Sequence, residues 1–170
     1  MIKQDILENR AKPIYLAIGS NLGNKKNNIE LAKFKLIQND VRITQISSYY
    51  ESLSWPNSNN PKFLNIVLKI TTSLSPIDLL KICKQIEISL GRKKRSKNSP
   101  RECDIDIIDF KNKKMKGHII LPHPRMHARN FVLLPLYELN KAWKHPMSKN
   151  HIKKLILSLP DRDIRSIKQI

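Results

Sequence analysis

The alternation of hydrophobic and polar positions predicts four strands along the first part of the chain. An apolar run over 14–18 ends in Gly19-Ser20-Asn21, which is typical of a buried strand followed by a tight loop. Residues 41–50 and 63–72 are rich in β-branched and aromatic side chains, and we expect a strand in each. A fourth strand is indicated after Cys103, where apolar residues alternate with aspartates.

Two segments between these strands show helical spacing. The first covers 27–39, and its apolar stripe is Ile29, Ala32, Phe34, Leu36 and Ile37. The second starts at Ser75, because serine at the N-cap followed by proline is typical of a helix start, and it ends before Gly91. Its expected core stripe is Ile77, Leu80, Ile82, Ile86 and Leu90.

The order of these elements predicts the fold class. β-α-β-β-α-β is the order of the ferredoxin-like fold, in which helices cover one face of an antiparallel sheet. Beyond it we expect a hairpin near Gly117, a helix over about 128–139 and a C-terminal helix near 152–159. The prediction is therefore an α+β protein with a ferredoxin-like sheet and a C-terminal hairpin and helices. The second face of the sheet is expected to be free for loops and ligand.

The length and local composition of the chain indicate how many domains to expect and in which cellular compartment. The chain has 170 residues, and we expect one domain over 13–170 with a flexible extension over 1–12. No apolar run approaches the roughly 18 residues of a membrane span, and the start of the chain lacks a secretory hydrophobic region. Cys83 and Cys103 form no disulfide framework and lack metal-ligand spacing. A cytoplasmic protein without a membrane partner is expected.

The net charge favours an anionic partner. The formal charge is +18, which suits phosphate, nucleotide, nucleic acid or anionic lipid. Many of the lysines fit a solvated surface equally well. Arginine is the better indicator of function here, because its planar fork matches phosphate oxygens.

Asp104 and Asp106 are the most informative residues in the chain. Side chains two apart on a strand point to the same face, so the two carboxylates repel unless a cation lies between them. Mg²⁺ typically takes one or two protein carboxylates and completes its shell with water and phosphates. A solvated edge strand is the plain alternative, but the cationic run over 92–101 favours a magnesium–nucleotide site. Asp109 is expected to face the other side and to cap the end of the strand.

Four segments of the chain, spread over about 14–159, resemble the 6-hydroxymethyl-7,8-dihydropterin pyrophosphokinase family. The segments are Ala17-Ile18-Gly19-Ser20-Asn21-Leu22-Gly23, Phe63-Leu64-Asn65, residues 99–107, and Leu121-Pro122-His123-Pro124 with Arg129-Asn130-Phe131. The resemblance implies that the pyrophosphoryl group of ATP is transferred to the hydroxymethyl group of the pterin, with release of AMP. This reaction is a step of tetrahydrofolate biosynthesis.

The resemblance also implies roles for single residues at the ATP end of the site. Asp104 and Asp106 would hold two Mg²⁺ ions. ATP would be bound by Arg92, Lys97, Arg101, His123 and Arg129. Among these, Arg92 and Arg101 would act in catalysis as well. No side chain is expected to serve as a general base.

For the pterin, the resemblance implies a set of contacts around an aromatic sandwich. The implied residues are Ser52 and Leu53 through their backbone, with Trp55, Phe63, Asn65 and Phe131. The Asn65 amide can both donate and accept, as a pterin edge requires. ATP and the pterin are then the expected partners of a monomer that binds no nucleic acid.

Some positions depart from the family's pattern. Phe63 replaces a common tyrosine, Asn98 stands where many members have a tryptophan that closes over the ligands, and Ser99 stands where glycine is frequent. Pro124 replaces a hydrogen-bonding tyrosine of some members. These differences concern the lid over the site more than the reaction.

Three other functions are consistent with parts of the sequence. A small basic ferredoxin-like domain can bind RNA, but its central strand should then carry paired aromatics instead of Asp104 and Asp106. A D-x-D sugar-nucleotide transferase usually needs a larger domain. An inactive relative is disfavoured by the intact aspartates, arginines and His123.

Overall fold

A six-stranded antiparallel sheet organises the computed structural model, which describes residues 12–93 and 98–170. Its strands are β1 (Ile14–Ser20), β2 (Arg42–Ile46), β3 (Tyr50–Ser52), β4 (Phe63–Thr71), β5 (Asp104–Phe110) and β6 (Lys168–Gln169). They follow the order β5-β1-β4-β3-β6, and β2 also pairs with β4. The predicted α+β, ferredoxin-like arrangement is confirmed.

Five α-helices and one 3₁₀ turn are found within the described ranges. The helices are α1 (Lys25–Gln38), α2 (Pro76–Ser89), α3 (Asn130–Leu139), α4 (Ile152–Leu157) and α5 (Asp161–Ser166), and the 3₁₀ turn is Met126–Ala128. The predicted start of α2 is confirmed, because the Ser75 side chain accepts a hydrogen bond from the backbone N–H of Asp78 at 3.1 Å. Gly91 follows α2 with a φ of +101°, as a glycine after a helix end commonly does.

One face of the sheet packs against α1 and α2 in an apolar core. The predicted α1 stripe is right at Ile29, Ala32 and Leu36, but Phe34 and Ile37 are exposed. On α2 the buried residues are Pro76, Leu79, Cys83, Ile86 and Glu87, whereas Ile77 is exposed. The predicted α2 stripe is right at Ile86, and Leu80, Ile82 and Leu90 pack partly buried against the same core. It is wrong at Ile77, and it missed Leu79 and Cys83, which lie seven and three residues before Ile86 on the buried face.

The second face of the sheet is covered over part of its area, which corrects the expectation that it is free. Tyr15, Val67 and Ile108 pack there against Val132 and Leu136 of α3. Trp143, Ile152 and Leu155 extend this second core. The C-terminal helices therefore occupy one part of this face, and the ligand-sized space lies beside them.

The end of the chain closes the sheet in a way the hydrophobic pattern did not predict. After α4, the short α5 leads into β6, which pairs with β3. The Asn130 side chain donates to the backbone oxygen of Asp163 at 2.5 Å and so ties α3 to α5. The hairpin expected near Gly117 is present as an isolated antiparallel bridge between Met115 and Leu121.

The predicted extension over 1–12 lies, apart from Lys12, outside the described residues, and the single domain over 13–170 stays a prediction. Across 12–93 and 98–170, no helix combines the length and the apolar character needed to cross a membrane. Cys83 and Cys103 are both free and buried, and burial raises the pKa of each thiol, to about 12 for Cys83. Neither is suited to act as a nucleophile.

Candidate active site

A cavity of about 320 Å³ lies at the Asp104 end of β5. The predicted site residues that line it are Trp55, Phe63, Asn65, Arg92, Arg101, Asp104, Asp106, His123, Arg129 and Phe131. They come from the loop after β3, from β4 and β5, from the loops on either side of β5, and from the start of α3. Residues far apart in sequence thus meet around one space.

The strand period places the two aspartates on the cavity side of the sheet. β5 runs antiparallel to β1, with Asp106 opposite Ala17 and Asp104 opposite Gly19. Ile105 and Ile107 are buried in the core under α1 and α2. Because side chains alternate along a strand, burial of the isoleucines directs both carboxylates to the opposite face.

Asp104 is held by two arginines. Arg92 Nη1 lies 2.7 Å from its Oδ1, and Arg101 Nη2 lies 2.7 Å from its Oδ2. Burial by itself would raise the pKa of Asp104, but the charges of Arg101 and Arg92 outweigh burial and hold this pKa below its ordinary value. Asp104 is therefore ionised at neutral pH.

Asp106 faces Arg129 and His123. Arg129 Nη1 donates to Asp106 Oδ2 at 3.1 Å, and His123 Nε2 lies 3.7 Å from the same oxygen. The backbone N–H of Arg125 donates to His123 Nδ1 at 3.2 Å, so the ring proton is assigned to Nε2. Burial lowers the pKa of His123, Asp106 opposes that shift, and Arg129 and Arg125 add to it. His123 thus presents a neutral N–H donor to the cavity.

The cavity as a whole is cationic. Its described lining contains six Lys or Arg residues and three acidic ones. The Nε atoms of Arg101 and Arg129 are buried and have no hydrogen-bond partner among the residues that the structure describes. A buried cationic N–H without an acceptor is costly, and a phosphate oxygen would satisfy it. The electrostatics therefore favour a polyanion.

Phe63 and Phe131 form the part of the cavity that we call its aromatic end. Phe63 lies under the guanidinium of Arg101 at 5.4 Å, and Phe131 lies under that of Arg129 at 5.4 Å. A Cβ added at Gly19 would come within 2.9 Å of the Asn65 side-chain oxygen and 3.2 Å of the Phe63 ring. Glycine at this position therefore lets the amide and the ring lie directly against β1.

Asn65 is oriented by the strand beside it. Its Nδ2 donates to Ser52 Oγ at 3.0 Å, and both side chains are buried. Ser52 therefore supports Asn65 from outside the cavity lining. This bond fixes the amide plane against the end of the cavity that Phe63 and Phe131 flank.

A second cavity of about 730 Å³ adjoins this one, and Trp55, Arg125, Arg129 and Phe131 line both. Trp55 lines both cavities and is 60% exposed, with the Arg125 guanidinium 5.7 Å from its ring centre. The Leu53 side chain lines the second cavity. Lys97, which was predicted to contact ATP, lies outside the described residues.

Several residues of the site were not singled out in the sequence. Asn21 is buried; its side-chain oxygen accepts from the backbone N–H of Arg101 at 2.8 Å, and its Nδ2 donates to Ser54 Oγ at 3.2 Å. It therefore joins the loop after β1 to the loop after β3 and to the loop before β5. Lys84 and Arg125 also line the cavity. Asn21 follows a buried strand in a turn, a position that could have signalled its role.

Asp109 behaves differently from its neighbours on β5. The register between β1 and β5 shifts after Tyr15, so Tyr15 pairs with Asp109 while Leu16 pairs with Ile107. The predicted capping role is confirmed, because Asp109 Oδ1 accepts from the backbone N–H of Asn112 at 2.9 Å. The extra residue turns Asp109 into the second core, where Trp143 Nε1 donates to it at 2.9 Å.

Comparison with known proteins gives consistent matches. Residues 15–141 match the model of the 7,8-dihydro-6-hydroxymethylpterin-pyrophosphokinase (HPPK) family. A 2-amino-4-hydroxy-6-hydroxymethyldihydropteridine pyrophosphokinase of Aquifex aeolicus is 38% identical over 141 residues, which is 82% of this chain and 88% of that protein. The enzyme of the same name from Bacillus subtilis is 39% identical and covers 74% of this chain and 76% of its own length.

Solved structures support the fold. Plasmodium falciparum HPPK-DHPS, in a crystal structure with pterin and p-hydroxybenzoate, superimposes with a TM-score of 0.72 at 16% identity. The match covers 93% of this chain but 46% of that one, so this chain spans less than half the length of the solved protein. The similarity extends over nearly every element described above.

Proposed function

The chain belongs to the 7,8-dihydro-6-hydroxymethylpterin-pyrophosphokinase family, and we propose that the cavity around Asp104 and Asp106 is its active site. The reaction transfers the pyrophosphoryl group of ATP to the hydroxymethyl group of 6-hydroxymethyl-7,8-dihydropterin and releases AMP. It is a step of folate biosynthesis.

One observation carries the assignment of the site. Two carboxylates on one face of β5 are paired with three arginines, and two of these arginines, Arg101 and Arg129, also contact the rings of Phe63 and Phe131 in the same cavity. One end is thus built for phosphates and the other for a flat heterocycle. A pyrophosphoryl donor and a pterin acceptor meet at that boundary.

The residues present fit Mg²⁺ as the metal. Within 12–93 and 98–170, no group of three or more His, Cys, Asp or Glu side chains is placed to hold a metal ion. A metal bound by Asp104 and Asp106 alone would keep most of its positions for water and phosphate oxygens, which is how Mg²⁺ binds with nucleotides. We infer that two Mg²⁺ ions enter with ATP at this pair of carboxylates.

Metal binding requires the arginines to change partners. Both oxygens of Asp104 accept from arginine in the structure. The guanidinium fork matches phosphate as well as carboxylate, so Arg92 and Arg101 can pass from Asp104 to the triphosphate without losing their hydrogen bonds. The ion pairs thus hold the arginines close to the place where the phosphates would bind.

The chemistry asks mainly for alignment and positive charge. Phosphoryl transfer passes through a loose transition state with charge spread over the equatorial oxygens. Arg92, Arg101 and Arg129 would stabilise that charge, and the neutral N–H of His123 would add a donor. Bound Mg²⁺ would supply further charge neutralisation and lower the pKa of the pterin hydroxyl.

The pterin would lie at the aromatic end of the cavity. Phe63 and Phe131 offer ring faces for stacking, and the fixed amide of Asn65 can both donate to and accept from the pterin edge. Trp55 and the backbone of Ser52 and Leu53 would border the same position. Lys97, which precedes β5 in the sequence, would complete the ATP contacts.

Measurement of AMP formation from ATP and 6-hydroxymethyl-7,8-dihydropterin tests this function. Chromatography should show one AMP for each pterin consumed, only when Mg²⁺ and both substrates are present. Omission of the pterin and chelation of the metal are the controls. Absence of AMP from a folded sample, together with salt-sensitive RNA binding, would contradict the proposal and favour an RNA-binding domain.

The proposal includes the setting of the enzyme. We expect a cytoplasmic monomer whose partners are its two substrates, without nucleic acid or membrane. The free, buried Cys83 and Cys103 are consistent with a reducing compartment. Sedimentation at micromolar concentration would show a larger species if the chain forms a dimer.

A further inference from the structure

Glu87 is a buried carboxylate next to the active site that has no part in the chemistry above. It lies in the last turn of α2 and is 1% exposed. Its Oε1 accepts from Lys84 Nζ at 2.8 Å and from the backbone N–H of Ile105 at 2.7 Å. Its Oε2 accepts from Arg92 Nη1. A buried charge with this many donors is held in one orientation.

Arg92 is attached to Glu87 through both its backbone and its side chain. Its backbone N–H donates to the Glu87 backbone oxygen at 3.1 Å. Its Nη1 is shared between Glu87 Oε2 and Asp104 Oδ1, the latter at 2.7 Å. One guanidinium nitrogen therefore bridges the end of α2 and the carboxylate at the start of β5.

This shared nitrogen matters when Asp104 changes partner. If Asp104 turns to a cation, Arg92 loses one of the two carboxylate contacts that it makes within 12–93 and 98–170, and Glu87 is the one that remains. An arginine without that restraint has several rotatable bonds and many orientations open to it. With the restraint, the rest of the fork can turn toward a phosphate while Nη1 stays in place.

We propose that Glu87 is a positioning residue that anchors Arg92 beside the transferring phosphates when Asp104 binds metal. The inference rests on the proposed function, since it assumes that Asp104 is a ligand of Mg²⁺. The contact between Glu87 and the Ile105 N–H also helps to position the site, because it fixes the start of β5 between the two aspartates.

The arrangement of the two carboxylate oxygens makes E87Q a selective test. An amide oxygen in the Oε1 position keeps the bonds to Lys84 and Ile105, because both donate to that one oxygen. The amide nitrogen then faces Arg92 Nη1, and two donors cannot bond to each other. E87Q therefore removes the Arg92 contact while keeping the tie between α2 and β5.

The test is a double-mutant cycle on turnover. We expect E87Q to lower kcat by about tenfold or more, with the KM for the pterin changed by less than about twofold. R92A should lower kcat further, and the double variant should be no slower than R92A, because both changes remove one contact. Additive losses, or an E87Q enzyme with wild-type kcat and only a lower Tm, would overturn the proposal.

Two variants keep the result interpretable. D109N alters a buried carboxylate on β5 whose partners are Asn112 and Trp143, and it should lower Tm without lowering kcat. E87D keeps the charge but withdraws the carboxylate from Arg92, and it should lower kcat in the same direction if E87Q folds poorly. A wild-type enzyme that forms no AMP would refute the proposed function instead, so the two failures are distinguishable.

Discussion

The two ends of β5 carry aspartates in opposite surroundings. Asp104 is paired with two arginines, which hold its pKa below the ordinary value. Asp109 is 1% exposed and meets neutral donors, and burial raises its pKa. One carboxylate is kept charged beside a cavity, and the other is a hydrogen-bond acceptor within a core. Both residues are aspartates, so it is the groups around each carboxylate that assign one to ligand binding and the other to core packing.

The same contrast extends to the neighbours of each aspartate. Around Asp104 and Asp106, the Nε atoms of Arg101 and Arg129 are buried without an acceptor in the described part of the chain. Around Asp109, the ring N–H of Trp143 and the backbone N–H of Asn112 both have the carboxylate as acceptor. Unmet hydrogen-bonding capacity thus collects at the end of the strand that we assign to the substrates.

The largest effect on turnover is expected when a carboxylate is removed from the cavity end of β5. D104A or D106A should lower turnover by at least about a hundredfold, because each removes a metal ligand at a charged transition state. Steady-state AMP formation measures the loss, and far-UV circular dichroism should show an unchanged fold. Activity retained by either variant at ordinary Mg²⁺ would contradict the site assignment.

Removal of a cation from the same end should have the next largest effect. R101A should lower kcat by about ten- to a hundredfold, since Arg101 supplies charge to the phosphates and covers Phe63. Arg42, an exposed arginine on β2, provides the matched control. Equal rates for wild type, R101A and R42A would reduce Arg101 to a surface charge.

A smaller effect is expected at the aromatic end. F131A should raise the KM for the pterin by about tenfold, with little change in the KM for ATP, because a stacking face is lost. F34A, which alters a 58% exposed ring on α1, is the control for loss of a phenylalanine. A rise in the KM for ATP alone would place Phe131 at the wrong substrate.

At the other end of β5, D109N should affect stability and leave chemistry intact. One amide oxygen cannot replace both carboxylate oxygens, so a buried donor is left unpaired at a cost of about 1–3 kcal/mol in the free energy of unfolding. Urea denaturation measures this loss, and kcat at 25 °C should equal that of wild type. A lower kcat for D109N would contradict the assignment of catalysis to the Asp104 end of β5 and of stability to the Asp109 end.

The decrease in unfolding free energy caused by D109N should also depend on pH. Because burial raises the pKa of Asp109, the folded protein binds this proton more tightly than the unfolded chain does. The contribution of this proton to the free energy of unfolding is fully present below the pKa that Asp109 has in the unfolded chain. It is lost as pH rises through the pKa that Asp109 has in the folded protein. The difference in unfolding free energy between wild type and D109N should therefore shrink as pH rises above about 4. A difference that grows over this range would refute the assignment.

Period and capping rules were enough to predict much of the fold and the pair of aspartates. The strand alternation placed Asp104 and Asp106 on one face, and the Ser75 cap placed α2. Asp109 was assigned to the wrong face because the register shift beside Tyr15 depends on pairing with β1. A bulge of this kind has no local signal in the strand that carries it.

Glu87 and Asn21 show why the rest of the site was not predictable. A charged residue in a helix is normally assigned to solvent, yet Glu87 is buried because Lys84, Arg92 and β5 surround it. Asn21 was interpreted as a turn residue, although it bonds to Arg101, which is 80 residues away. Their roles depend on contacts between segments that are distant in sequence, and the hydrophobic pattern does not predict such contacts.

Titration of α,β-methylene ATP into the protein by calorimetry, with and without Mg²⁺, tests the central claim most directly. Wild type and D109N should bind the analogue tightly only in the presence of Mg²⁺, and D106N should lose most of that metal dependence. Equal affinity of the wild type with and without Mg²⁺, or an unaltered metal dependence in D106N, would contradict the assignment of the carboxylate pair to the metal–nucleotide site.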